Sequence, residues 1–425
     1  MVRMQRIGGW CLLGALCIGM LGMLGCRNGP ARPPGADDPQ VAALVQRMQA
    51  AYDQGDWGTV LALADSVEAR APGGPDAPFM RGLVLTRLKR YDAARAAYEQ
   101  ALERDPSYRK AWYNLGHNAF LQRQYRQALV AYRNERALIE RSARARPAPG
   151  EEVDPQALPA VLAQIGRTYA LLGVQDSARM AYEDALALDS TYAVAHAWLA
   201  ELLEDQGHIE QALHHARRAL EAHPEEVEYA YRVGFLLFQA GRVQEAALLL
   251  SAVVQRWPGH EGATYNLGRA LMALGREQEG QALLDRVETI QRLQEQALMA
   301  QRAVEVHPDD PERWLELARM MLRSGYYDRA EEAFTAALAL KPDDLALHND
   351  LANLALVRGD TALALQRFQT LLRRDSTFAD AWLNLGIIYA MTGQPRQARR
   401  AWEHVLQYRP DDPDAAAYLA RLPRP

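Results

Sequence analysis

The chain has 425 residues, 49% of them hydrophobic, and 48 Lys and Arg against 53 Asp and Glu give a formal net charge of −5. That apolar fraction excludes a disordered chain, and the lack of a basic excess argues against nucleic acid as partner, because phosphates demand clustered positive charge. Gly and Pro, 29 and 22 in number, are too few for collagen-like or low-complexity chains. All 3 cysteines (Cys11, Cys17 and Cys26) fall near the N-terminus, so neither a disulfide scaffold nor a Cys-ligated zinc site can be built from the rest.

Arg3 and Arg6 precede an uncharged stretch from Ile7 to Cys26, rich in Leu, Met and Gly. A positive flank, an apolar run and a small residue, in that order, make a secretory signal. The run ends Met23-Leu24-Gly25-Cys26, which resembles the lipobox of bacterial lipoproteins, with Met23 where that family usually has Leu. The resemblance implies removal of residues 1–25, lipidation of Cys26 and a membrane-anchored protein of the bacterial envelope. Arg27 follows the cysteine instead of Asp, which implies the outer membrane, facing the periplasm, in a Gram-negative cell. The alternative is an uncleaved N-terminal anchor, since about 18 apolar residues can span a bilayer. Residues 26–40 include the Pro-rich run RNGPARPPGADDP and lack periodicity, so they read as a flexible tether.

From Val41 onward the sequence copies itself with a period of 34 residues. Frames begin at Val41, Pro75, Arg109, Pro159, Ala193, Val227, Glu261, Pro311, Leu345 and Ala379. The eighth position reads Met48, Gly82, Gly116, Gly166, Ala200, Gly234, Gly268, Ala318, Ala352, Gly386; the twentieth reads Val60, Ala94, Ala128, Ala178, Ala212, Ala246, Gly280, Ala330, Ala364, Ala398. Small residues at fixed places suit two helices crossing at close approach. Aromatics recur at position 24 (Tyr98, Tyr132, Tyr182, Phe334, Phe368, Trp402). Pro recurs at position 32, where it stops the second helix. Between the halves stand Gly173, Gly207, Gly241, Gly275, Gly325, Gly359 and Gly393, suited to a left-handed helix end.

This pattern resembles the tetratricopeptide repeat (TPR), most clearly at Lys110-Ala-Trp-Tyr-Asn-Leu-Gly116 and Asp380-Ala-Trp-Leu-Asn-Leu-Gly386, and the resemblance covers residues 41–412. It implies an all-α fold: a right-handed superhelix of helical hairpins, about ten repeats long. Residues from Pro413 to Leu422 read as a capping helix. Two interruptions break the period. Residues 143–158 carry Pro, Gly and charge and read as an exposed loop, and the string Glu151-Glu152-Val153-Asp154 inside it copies a chaperone tail by coincidence. Residues 295–310 lengthen a helix that has no Gly or Pro from Gln281 to Val306, with apolar residues at steps of three and four. The expected organisation is a seven-repeat array over 41–294, the extension, and three repeats with the cap over 311–425.

No phosphate loop, zinc helix or nucleophile elbow is present. The adjacent His214 and His215 point about 100° apart on a helix, and His208 and His223 lie on other turns, so all four read as solvated side chains. His196 and His348 occupy the Trp position of their repeats and read as packing residues. The pairs Asp309/Asp310 and Asp411/Asp412 precede helices, where carboxylates suit the N-terminal dipole. The sequence thus points to neither an enzyme nor a bound cofactor or metal.

The resemblance implies a groove lined by the first helix of each repeat, at frame positions 2, 5, 6, 9, 12 and 13. Repeats two and three present Phe79, Lys110, Tyr113, Asn114, His117 and Phe120 there, and repeat five presents Glu201, Glu204 and Asp205. Repeats six and seven give Tyr231, Phe235, Phe238, Tyr265, Asn266 and Arg269, an aromatic wall with polar tips. Repeats nine and ten offer Asn349, Asn353 and Asn384, whose amides can grip a peptide backbone through a donor and an acceptor each. The expectation is a membrane-anchored, non-catalytic scaffold binding other proteins as peptide segments or helices. The rivals are an adaptor or regulatory subunit of an envelope enzyme complex and a carbohydrate-binding groove.

Overall fold

The computed structural model describes residues 38–53, 55–108, 110–144 and 157–422. The signal, Cys26, most of the tether and residues 145–156 of the first interruption lie outside them. All regular structure in the described residues is helical, and no described helix is long and apolar enough to cross a membrane.

The chain forms two compact units divided between His223 and Pro224. The first pairs α1 (Pro39–Asp53) with α2 (Trp57–Arg70), α3 (Asp76–Arg87) with α4 (Tyr91–Arg104), and α5 (Ala111–Leu121) with α6 (Tyr125–Arg144). It ends with α7 (Ala157–Leu171) on α8 (Gln175–Leu188) and α9 (Ala193–Asp205) on α10 (Ile209–Ala222). The second pairs α11 (Val227–Gln239) with α12 (Val243–Arg256), α13 (Glu261–Ala273) with α14 (Glu277–Val306), and α15 (Pro311–Arg323) with α16 (Tyr327–Leu340). It continues with α17 (Leu345–Val357) on α18 (Thr361–Arg374) and α19 (Ala379–Met391) on α20 (Pro395–Tyr408), closed by α21 (Pro413–Arg421). The TPR solenoid expected from the period is the fold observed.

Four hairpins close on a size complement between a glycine at frame position 8 and a ring at position 24. A Cβ added to Gly82 would sit 2.5 Å from the Tyr98 ring, one on Gly116 2.8 Å from Tyr132, one on Gly166 2.5 Å from Tyr182 and one on Gly386 2.2 Å from the Trp402 indole nitrogen. In the first repeat position 24 shrinks and position 8 grows. The first repeat has Met48 and Ala64, both fully buried. Met48 is therefore the volume exchange of the later Gly–Tyr pairs, and its departure from the small-residue rule costs no packing.

The helices of a hairpin are joined through one left-handed residue, which satisfies the carbonyls of the helix end. Gly fills this place in eight repeats, from Gly55 (φ +75°) to Gly393 (φ +73°), but Lys89 (φ 57°) and Arg123 (φ 59°) fill it in the second and third. Position 4 supplies a second staple. The indoles of Trp112, Trp314 and Trp382 donate to the carbonyls of Pro106, Pro308 and Ser376, at 3.0, 2.8 and 2.8 Å. His196 Nε2 lies 3.1 Å from Ser190 O; His348 Nε2 lies 3.0 Å from Pro342 O and also 2.9 Å from the Arg374 guanidinium. Both histidines thus fill the Trp position with a ring nitrogen at the matching carbonyl, beyond the packing role expected of them. Asp310, Asp344 and Asp412 each cap a helix by accepting backbone N–H bonds.

α14 has 30 residues, about 45 Å at the usual helical rise. Its first half packs on α13, and its second half sends Ala297, Ala300 and Val304 into a core with Leu317, Ala318, Met321 and Phe334 of α15 and α16. The extension therefore acts as the preceding second helix for the eighth repeat. One consequence is a contact that skips a repeat: the α12–α13 turn meets the α15–α16 turn. Trp257 and Tyr326 lie edge to face at 5.3 Å, and Gln294 donates to the Tyr326 hydroxyl at 3.2 Å.

Candidate partner-binding face

The first helices α11 and α13 lie side by side in the second unit and bring five of the six expected wall residues onto one surface. On α11, Tyr231 and Phe235 are one turn apart and stacked at 6.1 Å, with Phe238 on the next turn; all three are half-buried. On α13, Tyr265 is 39% exposed and Arg269 is exposed. The Arg269 guanidinium sits 5.1 Å from the Phe238 ring and 5.8 Å from the Tyr265 ring, so aromatic faces hold a cation that has no carboxylate partner among the described residues.

Asn266 behaves differently. It is 5% exposed, and its amide donates to Gly262 O at 2.8 Å and to the Tyr231 hydroxyl at 3.5 Å. Its place is beneath the wall, orienting Tyr231. His260, on the turn before α13, was not anticipated from sequence. Its ring packs 4.3 Å from Tyr231, accepts the Ala263 N–H at Nδ1 and contacts Glu228 through Nε2 at 3.1 Å. A capping His is invisible to a search for ligand spacings, because its partners come from its own helix start and from α11, one repeat earlier. Met272, also 39% exposed, lies against Gly280 of α14.

The asparagine group is split. Asn384 donates to Asn353 Oδ1 at 2.8 Å, and both are half-buried. Asn349 is 8% exposed, and its Oδ1 is buried without a hydrogen-bond partner among the described residues. Beside it, burial pushes the Asp350 carboxyl up against the opposing pull of Arg319, whose guanidinium is 3.9 Å away. In the first unit, Tyr113 and His117 are half-buried; burial raises the Tyr113 hydroxyl to about 12 and lowers the His117 imidazole, with Arg87 adding to the latter. Glu201 is taken up by Arg167 at 2.8 Å. Glu201 and the Asn353/Asn384 pair are thus taken up internally, whereas Arg269 has no carboxylate partner among the described residues.

His196 and His215 form a pair with Nδ1 atoms 2.9 Å apart. Because His196 Nε2–H points at Ser190 O, its Nδ1 accepts, and His215 Nδ1–H donates. Burial, then the neighbouring His196 and His214, lower His215 to about 4. No group of three or more His, Cys, Asp or Glu among the described residues is placed to hold a metal.

Comparison with known proteins agrees with this architecture. Tetratricopeptide repeat family models match residues 46–108, 79–138 and 199–261, and a further one matches 237–304. The model for the cytochrome c-type biogenesis protein H TPR domain matches 277–416. A protein provisionally named cellulose synthase operon protein C, from Escherichia coli O157:H7, is 28% identical over 200 residues, covering 47% of this chain and 16% of its own. The CTR9 homolog of Arabidopsis thaliana is 27% identical over 142 residues, covering 32% and 13%. The chain thus spans under a fifth of the length of either relative. The solved structure of Pseudomonas aeruginosa pilF has 15% identity and a TM-score of 0.45, covering 53% of this chain and 96% of that one. With helical hairpins, repeat frames and family models in agreement, the chain belongs among the tetratricopeptide-repeat proteins.

Proposed function

We propose that the protein is a non-catalytic scaffold that binds partner polypeptides on the face formed by α11 and α13, using Tyr231, Phe235, Phe238, Tyr265 and Arg269. The observation that carries this reading is a set of partly exposed aromatic groups around an exposed cation that has no carboxylate partner among the described residues. Aromatic and Arg side chains dominate the energetics of protein interfaces, because they supply large contact area at small entropy cost. The Asn353/Asn384 pair, with Asn349 beneath, is a secondary contact further along the same unit.

Export and anchoring through a lipidated Cys26 complete the proposal, with the outer membrane facing the periplasm as the setting. Their support is the order Arg3, Arg6, apolar run, Leu24-Gly25-Cys26. The match to a cytochrome c-type biogenesis protein TPR domain and the likeness to a cellulose synthase operon protein favour a more specific role, as adaptor within an envelope enzyme complex.

The test is a photo-crosslinker at Tyr265, activated in the native host, followed by mass spectrometry of what is joined to it. Proteins captured by wild type and lost from the folded Tyr231→Ala/Phe235→Ala variant support the face. Capture that survives that variant moves the site to Asn349, Asn353 and Asn384, and capture of glycan alone replaces the peptide reading. For anchoring, Cys26→Ser should release the protein or leave its precursor unprocessed, since several acyl chains hold a membrane firmly where one is marginal. Wild-type protein that retains residues 1–25 would establish the uncleaved anchor.

A further inference from the structure

In the first unit, away from the α11–α13 face, two second helices carry matching stripes. α6 and α8 belong to consecutive repeats and α7 packs on both, so they run parallel on one side of it. At frame positions 18, 22, 25 and 29, one stripe at helical spacing, α6 presents Arg126, Val130, Arg133 and Ala137. At the same positions α8 presents Asp176, Met180, Glu183 and Ala187, and every one of these residues is exposed. Val130 and Met180, large apolar groups in mid-stripe, are 58% and 64% exposed. One helix is thus basic around an apolar centre, and its neighbour is acidic around an apolar centre in the same register. We propose that this surface docks a second copy of the chain in a two-fold dimer.

A two-fold interface has to be complementary to itself. An axis along the helix direction, midway between α6 and α8, carries α6 of one copy onto α8 of the other without reversing it. Each position then meets the same position of the opposite helix. Arg126 meets the second copy's Asp176, Arg133 its Glu183, Val130 its Met180 and Ala137 its Ala187, and the axis repeats each contact. The match holds whatever the spacing between α6 and α8, because both copies share it. Apolar contacts flanked by charge pairs, with Arg and Met contributing, are the usual make-up of an interface. Within one chain these charges are not spent on each other: Arg126, Asp176 and Glu183 form no ion pair among the described residues, and Arg133 bonds the Tyr169 hydroxyl. The helix on the other side of α6 fits less well. α4 offers Asp92 and Glu99 at positions 18 and 25, but Asp92 pairs with Arg95 and position 22 is only Ala96.

Sedimentation velocity of the purified full chain at rising concentration and low salt should show a monomer–dimer equilibrium, which high salt shifts toward monomer. Arg126→Glu/Arg133→Glu makes both stripes acidic, and Asp176→Arg/Glu183→Arg makes both basic. Each variant alone should dimerise about tenfold more weakly than wild type, or worse, because every attractive pair becomes a repulsive one. Mixed in equal amounts, the two variants should recover a dimer, since each acidic stripe again faces a basic one. That recovery also shows both variants to be folded, with circular dichroism as the independent check. Met180→Lys should weaken the wild-type dimer in the same assay by charging its apolar centre. A wild-type chain that stays monomeric at every concentration overturns the inference. So do charge variants that dimerise as well as wild type, and folded variants that fail to recognise each other when mixed.

Discussion

Gly259 and Ser324 stand so close that a Cβ added to the glycine would lie 1.6 Å from the serine carbonyl oxygen. The two residues belong to turns separated by a whole repeat, and Gly325 returns the contact, its added Cβ meeting Gly259 N and Trp257 Cδ1 at 3.0 Å. Backbone meets backbone here, so no side chain can move aside. Gly259→Ala should therefore cost about 3 kcal/mol, the upper part of the usual range for overpacking. Urea unfolding measures the loss, and hydrogen exchange should locate it at 257–260 and 324–326. An unchanged midpoint would show that the turns part freely.

The complement between positions 8 and 24 predicts a coupled pair. Gly82→Ala alone pushes a methyl into the Tyr98 ring and should cost about 1–3 kcal/mol. Tyr98→Leu alone should leave a cavity and lose the hydroxyl contact to Thr86. Together the two should cost less than their sum by about 1 kcal/mol, read from a double-mutant cycle. Strict additivity would mean that Gly82 is small for some other reason.

Arg123 carries a left-handed backbone (φ 59°) where eight other repeats use Gly. A side chain in that region costs about 1–2 kcal/mol, offset in part by the extra chain entropy that glycine loses on folding. Arg123 is exposed, so its replacement forfeits little packing. Arg123→Gly should raise stability by up to about 1 kcal/mol, visible as a higher unfolding midpoint at constant slope.

Acid should weaken the first unit through its histidines. His196, His215 and His117 are all lowered from the ordinary value of 6.5, His215 to about 4, with burial the leading cause. The unfolded chain then binds more protons than the folded one in this range, so their contribution is present above about pH 6.5 and fades as pH falls toward about 4. Arg218 and His214 deepen the effect on His196, while Asp189 and the Ser190 carbonyl oppose it. Unfolding midpoints measured from pH 7.5 to 4.5 should fall, with a shallower slope in His215→Gln. An equal slope in that variant would assign the acid sensitivity elsewhere.

The sequence by itself determined what recurs along the chain. The period, the helix ends, the small positions and the left-handed turns are all set within a single repeat, where sequence spacing and spatial spacing are nearly the same thing. Tyr231, Phe235, Phe238, Tyr265 and Arg269 share a face for that reason: one period separates their helices. Tertiary structure decided the rest. Whether Asn266 faces a ligand or bonds its own helix depends on a rotamer and on Tyr231 of the neighbouring helix. Gly82 owes its size to a ring on the partner helix, and Met48 escapes the same rule because Ala64 makes room. The meeting of Gly259 with Ser324 is furthest from the reach of any periodicity, since it follows from how a 30-residue α14 packs against α13 and then α15. Such contacts depend on helix length and crossing angle, which only the packed core fixes.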